Sequence, residues 1–340
     1  MLVHGWLKSA REYQRIVIHA MLSAHTTTPG KAILAGEHFV LHGVPAVAVP
    51  VFERQLQLDA EWHDDGDGDD SDRLELPDAL APLADAIDQA LNHWLRGGRV
   101  TLRAKSQIPT GAGLGSSAAW AVAVARVLTT FAEQRRPREV VAFAAADREL
   151  MIAVISGTIE QAIHGRASGI DTSTIRLGRP IRLDMAPDGT TIEALHVGRA
   201  TRFLLVDSGV RRATSQQIAR VTSRRHANPA AFAQHTDAAR EATLAVIQSL
   251  ADGDAQTLHR AVADLGRILA GFGLEPPITD AIRRVVEPLG VTIKITGAGG
   301  GGFLLGHAEA PDALDRAVEA LAASGTAEAF CFNVPATGRA

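Results

Sequence analysis

The sequence predicts an α+β protein in two halves, and three observations carry that prediction. Strand-like runs fall next to one another as adjacent antiparallel pairs, with mixed sheets and helices, instead of alternating regularly with helices. A helical pattern runs from Ala213 to about Ala270, with a break near Ala227-Asn228-Pro229. The glycine-rich stretches lack the chain context and the third glycine of a doubly wound dinucleotide fold, which argues against a nucleotide-linked oxidoreductase. With 340 residues the chain is long enough for two domains of ordinary size.

The elements follow in order. Thr26 to Val51 reads as strand, with turns expected at Pro29-Gly30 and around Gly43 and Pro45. "RQLQLDAEW" alternates as a strand should. His63 to Asp72, "HDDGDGDDSD", resembles a calcium loop only superficially. Counted from Asp65, the sixth place is Asp70 instead of glycine and the twelfth is Leu76 instead of glutamate. It reads as a solvated hairpin tip. Leu80 to Leu95 has helical spacing, and "RVTLRAKSQI" returns to strand. A helix is expected from about Ser116 to Glu133, and another from Pro137 to about Ile163. "TIRL", "PIRLDM" and "RFLLVDSG" read as strands. A short helix follows Pro277, "VTIKITGAGGGGFLLGH" reads as strand, glycine turn and strand, Leu314 to Ala323 is helical, and "AEAFCFNV" forms a last strand.

Bulk properties narrow the function classes. Hydrophobic content of 46% and charged content of 21% are those of a soluble globular protein. A formal charge of −4 gives no footprint for nucleic acid. The single cysteine, Cys331, excludes an intrachain disulfide framework and suits a reducing, cytoplasmic setting. No apolar run has the length of a membrane span, so no membrane partner is expected. Residues 1–22 lack the pattern of a secretory signal and read as an N-terminal extension, with Met21 an alternative start.

Three glycine-bearing segments carry the chemistry. In "TTPGKAILAGEHFVLHGVPAVAVPV", Lys31 follows a Pro-Gly pair, and Glu37 and His38 stand beside another turn. Read alone, Lys31 is a solvated charge; the concentration of lysine, glutamate and histidine beside glycines favours a functional role. In "IPTGAGLGSSAAWAVAVARVL" a glycine loop enters a helix. Such a loop exposes unpaired backbone N–H groups at the positive end of the helix dipole, a receptor for phosphate. Ser117 stands where a Walker motif would have its lysine. A hydroxyl in the first turn, from Ser116 or Ser117, can ligate Mg²⁺; the alternative is a serine N-cap on a buried helix. In "KITGAGGGGF", Lys294 to Phe303, the glycines suit a tight turn pressed against a ligand or another loop. Two acids complete the set: Glu160 on a helix, and Asp171 in an expected loop after it. An aspartate near a lysine can orient a hydroxyl, and a glutamate facing phosphates can complete a Mg²⁺ site. The combination points to phosphoryl transfer.

From about Thr28 to Gly306 the chain resembles the GHMP kinases, which include galactokinases, homoserine kinases, mevalonate kinases and phosphomevalonate kinases. The resemblance rests on "PGKAILAGEHFVLHGVPAVA", "PTGAGLGSSAA" and "KITGAGGGGF" in that order. Phe39-Val40 after "GEH", together with "HGRASGID" and "VDSGVRRATSQQI", is most similar to the mevalonate kinase branch. The resemblance implies a two-domain fold with the active site in a cleft, an ATP-binding domain over 23–198 and a C-terminal domain over 199–340. It implies ATP and Mg²⁺ as cofactors, and mevalonate as the small-molecule partner. It allows for a homodimer.

By the same resemblance Asp171 is the catalytic aspartate and Lys31 the lysine paired with it. Pro109, Gly111, Ala112, Gly113, Leu114, Gly115, Ser116, Ser117 and Ala118 form the phosphate loop. Ser117 and Glu160 are the metal ligands. Glu37, His38 and Thr214 lie by the substrate, as do Gly297 and Ala298 in the third motif, which supports the phosphate loop. Ala167, Thr172 and Arg179 depart from the usual proline, asparagine and glycine on the acceptor side. An acceptor such as phosphomevalonate, a sugar or a sugar phosphate is the alternative, with Arg179, Arg211 and Arg212 as candidate contacts. A non-catalytic, ligand-sensing relative would have lost the acid or the lysine, and both are present here.

Overall fold

The computed structural model describes residues 21–63, 74–75, 84–85, 87–89, 99–134, 145–164, 168–211 and 214–338. The N-terminal extension up to residue 20, most of the aspartate-rich tip, most of the helix expected over Leu80–Leu95, the helix start at Pro137, Ala167 and Arg212 lie outside the described residues. The chain divides into two compact units, each assembled from separate stretches.

The first unit takes in Met1–Thr27, Gln57–Lys105 and Ala123–Gly165. It holds the outer end of strand β2 (Ala46–His63), with β4 (Arg99–Ser106) between β2 and the short β3 (Leu74–Glu75). Here β2 alternates as its sequence demands: Leu58, Ala60 and Trp62 are buried, whereas Gln57 and Asp59 face outward. The remaining mass is the greater part of helix α1 (Ser116–Gln134) and helix α2 (Ala145–His164). Val124, Val127, Leu128 and Phe131 on α1 and Ile152, Ile155 and Ile159 on α2 are buried, at helical spacing.

The second unit takes in Thr28–Leu56, Ser106–Val122 and Arg166–Ala340. Its first sheet runs from the inner end of β2 to β5 (Ile181–Ala186) and β6 (Gly189–Ala194), all antiparallel; β1 (Leu22–Ala35) also pairs with β2. Helix α3 (Ile170–Leu177) is anchored to this sheet: Ile170 joins Ala46, Ala48, Ile181 and Leu183 in one cluster, with Leu177 packed against it. The second sheet is antiparallel in the order β10-β7-β9-β8, from Ala329–Val334, Thr201–Asp207, Phe303–His307 and Thr292–Ile295. Helices α4 (Thr214–Ala227), α5 (Pro229–Asp252), α6 (Ala255–Gly271), α7 (Thr279–Val286) and α8 (Pro311–Ala323) accompany it. Helix α6 packs on β8 and on α5, and its Leu258, Ala261, Val262, Leu265, Gly266 and Leu269 are buried. A Cβ at Gly266 would stand 3.1 Å from the Ile293 carbonyl, so glycine brings helix and strand together.

Four expectations are corrected. Pro29-Gly30 is not a turn: β1 passes straight through it. Its glycine serves a close approach instead, because a Cβ there would lie 3.2 Å from the Leu114 carbonyl. Lys31 therefore sits inside a strand and is 1% exposed. "TIRL" is helical, not extended, and Asp171 lies in the first turn of α3, not in a loop. Left-handed Gly169 and Gly178 bound that helix, and the Gly178 N–H donates to the Thr174 carbonyl, overriding the β-branched preference of Thr172, Thr174 and Ile175. The long helical pattern has a second break, at Gly253-Asp254: glycine takes the left-handed end of α5, and the Asp254 carboxylate caps α6 by accepting from the N–H groups of Gln256 and Thr257. The break at Asn228-Pro229 is as expected, with Asn228 capping α5.

Candidate active site

The glycines of all three segments belong to the second unit, and the segments touch one another there. The glycine loop is bent by Gly111, Gly113 and Gly115, with φ of 70°, 88° and 75°, values that other residues adopt only with strain. The Gly115 carbonyl accepts the first helical bond of α1 from the Ala119 N–H, so Ser116 and Ser117 fall in the first turn and neither is the cap. No acidic residue occupies that turn, which leaves the helix end positive.

The first segment lies against this loop. The Lys31 N–H donates to the Leu114 carbonyl at 2.9 Å, and the Thr28 hydroxyl donates to the Ala119 carbonyl. A Cβ at Gly115 would meet the Lys31 stem at 2.8 Å, so the loop lies directly on the lysine's methylenes. The ammonium emerges beside α3 and pairs with Asp171 at 3.0 Å; the lysine is 1% exposed and the aspartate 30%. A buried ammonium needs such a partner, and here the partner keeps one side toward solvent.

The third segment closes the loop from the opposite side. The Phe303 N–H donates to the Ala112 carbonyl at 2.9 Å, and a Cβ at Gly302 would overlap that carbonyl at 2.3 Å. Gly302 also donates to Val210 and accepts from the Ser208 N–H, tying in the segment after β7. Arg211 of that segment pairs with Asp207 at 3.5 Å, and its side chain would lie 3.9 Å from a Cβ at Gly111.

A second lysine lies beneath. Lys294 on β8 and Glu37 form an ion pair with both side chains fully buried. Burial pushes the Glu37 carboxyl above the usual carboxylate range and the Lys294 ammonium below the usual lysine range, each opposed by the charge of the other. The Lys294 ammonium also donates to the carbonyls of Ile33 and Ile295. The Thr296 hydroxyl accepts from the Ile33 N–H and donates to its carbonyl, and His38 Nε2 bonds the Ala298 carbonyl at 2.9 Å.

Models of the GHMP kinase N-terminal and C-terminal domains match residues 81–179 and 246–327. The chain is a GHMP kinase. A mevalonate kinase of Archaeoglobus fulgidus is 27% identical over 82% of this kinase and 90% of its own length. The crystal structure of L. major mevalonate kinase in complex with R-mevalonate superposes with a TM-score of 0.79 at 19% identity, covering 95% of this chain and 99% of that one. A Streptococcus pneumoniae phosphomevalonate kinase superposes with a TM-score of 0.69 at 15% identity, over 92% and 100%. The fold is thus shared by kinases with different acceptors.

The expected residues of this kinase fall into three sets. Lys31, Asp171, the loop from Pro109 to Ala118, Gly297 and Ala298 gather in the second unit. Ser117 is there too, whereas Glu160, 6% exposed on α2, belongs to the first unit. Among the described residues no group of three or more His, Cys, Asp or Glu is arranged to hold a metal. Thr214 opens α4, and its side chain lies outside the described residues. Of the departures, Thr172 is buried and donates its hydroxyl to the Gly169 carbonyl, while Arg179 is exposed. The sequence reading assigned no part to Lys294; its signal was a lone charge inside the apolar strand "VTIKITG".

Proposed function

We propose that this GHMP kinase transfers the γ-phosphoryl group of ATP to the primary hydroxyl of mevalonate, giving 5-phosphomevalonate and ADP. The observation that carries the reading is the Lys31–Asp171 pair, buried on the lysine side and open on the acid side, directly beside the glycine loop. Backbone N–H groups of the loop and the start of α1 hold the phosphates. By resemblance Ser117 would be a ligand of Mg²⁺, which when bound neutralises phosphate charge. The Asp171 carboxylate orients the acceptor hydroxyl and takes its proton as the new O–P bond forms and the bond to the β–γ bridging oxygen breaks. The Lys31 ammonium fixes the carboxylate and offsets charge developing at the transferred group. His38, Thr214, Gly297 and Ala298 border the acceptor by resemblance, whereas Glu37, placed there by the same resemblance, has a fully buried side chain held on Lys294.

The choice of mevalonate rests on relatives named mevalonate kinase across most of the chain. Among the described residues no helix is long and apolar enough to cross a membrane. A coupled ADP-release assay with Mg·ATP and, separately, mevalonate, phosphomevalonate and galactose tests the reading. Turnover with mevalonate well above the other two is expected. Turnover confined to phosphomevalonate or galactose would overturn the acceptor and keep the reaction.

A further inference from the structure

Glu37, His38 and Lys294 stand where the first and third glycine segments meet, and none of them is needed to hold a phosphate. His38 is the single non-glycine residue with positive φ among the described residues. At φ 58° and ψ −42° it sits between the Glu37 carbonyl and the Phe39 N–H, which bond each other at 2.5 Å. That is a γ-turn of the rare, strained hand. Such a conformation persists only where the surroundings fix it. Here they do so from several sides. The Phe39 ring is buried against Phe272 and Phe232, with centroids 5.6 and 6.1 Å away. Behind the turn, Glu37 is locked on Lys294. In front of it, His38 Nε2 bonds the Ala298 carbonyl. A carbonyl only accepts, so Nε2 carries the proton.

These bonds form one series. Lys294, Thr296 and Ala298, alternate residues of the third segment, meet Ile33, Glu37 and His38 of the first. Ile33 is two residues beyond Lys31 on the same strand, and four residues after Ala298 comes Gly302, which closes on the glycine loop at Ala112. The series therefore links the strand that presents Lys31 to the turn that backs the phosphate loop.

We propose that Glu37, His38 and Lys294 are positioning residues that set the distance between Lys31 and the glycine loop. The inference rests on the phosphoryl-transfer reading above. Glu37 has a buried second oxygen, Oε2, with no hydrogen-bond partner, so the pair is not an optimised stabilising bridge. A geometric role accounts for its presence.

The test uses the full chain, with ADP release measured on whichever acceptor the wild type turns over. The double variant Glu37→Gln/Lys294→Met removes both charges together. It is expected to fold, to bind Mg·ATP with unchanged affinity by equilibrium titration, and to lose about tenfold or more in kcat, since a shift of ~1 Å at reacting groups costs up to about 10²-fold. His38→Gly keeps the turn free of strain and removes the tether to Ala298. It is expected to melt no lower than wild type and still lose kcat without a matching rise in KM. His38→Gln, whose amide nitrogen mimics Nε2, should recover most of the rate. A wild-type kcat in folded His38→Gly, or in the double variant, would overturn the proposal while leaving the phosphoryl-transfer reading intact. If the double variant does not fold, His38→Gly and His38→Gln decide alone. A wild type without turnover on any acceptor would instead overturn the reading on which the proposal rests.

Discussion

Two lysines in the second unit are buried almost identically, at 1% and 0% exposure, and each is paired with a carboxylate from a distant part of the chain. They differ in the partner. Asp171 is 30% exposed at the start of α3, whereas the Glu37 side chain is 0% exposed. A carboxylate with one open side can meet an acceptor hydroxyl; a sealed one can meet only its own lysine. In the proposed mechanism the same chemical pair does chemistry at one corner and holds geometry at the other, with accessibility on the acid side as the distinguishing feature.

Neutralising one member at each corner should expose the difference. Glu37→Gln strands the Lys294 ammonium in a sealed site, and breaking a buried pair from one side costs about 3–5 kcal/mol. Asp171→Asn also takes the charged partner from a buried ammonium, but position 171 is 30% exposed and can admit water beside Lys31, so a smaller loss than at Glu37 is expected. Urea denaturation of both variants measures this directly. Equal losses at the two corners would remove the contrast.

A pH-dependent effect comes from His307 on β9, opposite Thr292 of β8. Burial, aided by His259, holds its pKa at about 3, below the usual 6.5. Between those values the unfolded chain binds a proton that the folded chain refuses. Stability is therefore fully present above about pH 6.5 and falls with acid by up to about 1.4 kcal/mol per pH unit. His307→Gln should flatten that dependence in melts between pH 4 and 7, and an unchanged slope would assign the acid loss to other groups.

The comparison also shows what the sequence could carry. The bent glycine loop, the start of α1 and the Lys31–Asp171 pair beside it were legible because glycines at left-handed positions and a helix start leave a local signature, and the resemblance paired the two charges. Pro29-Gly30 misled, since a glycine that admits a neighbouring carbonyl looks the same in sequence as one that turns the chain. Asp171 was placed in a loop because the capping of α3 depends on two left-handed glycines, outweighing its β-branched residues. Lys294 was overlooked for a different reason. A lone charge in an apolar strand has no visible partner when that partner, Glu37, lies 257 positions away. Burial reveals the pair, and sequence spacing does not.

The central claim is that the open pair performs the transfer. Steady-state kinetics of Asp171→Asn beside equilibrium binding of Mg·ATP tests it most directly. The account predicts a well-folded variant that binds nucleotide like wild type and loses about 10²–10⁴-fold in kcat, the usual contribution of a positioned base. A kcat within a few-fold of wild type would contradict it.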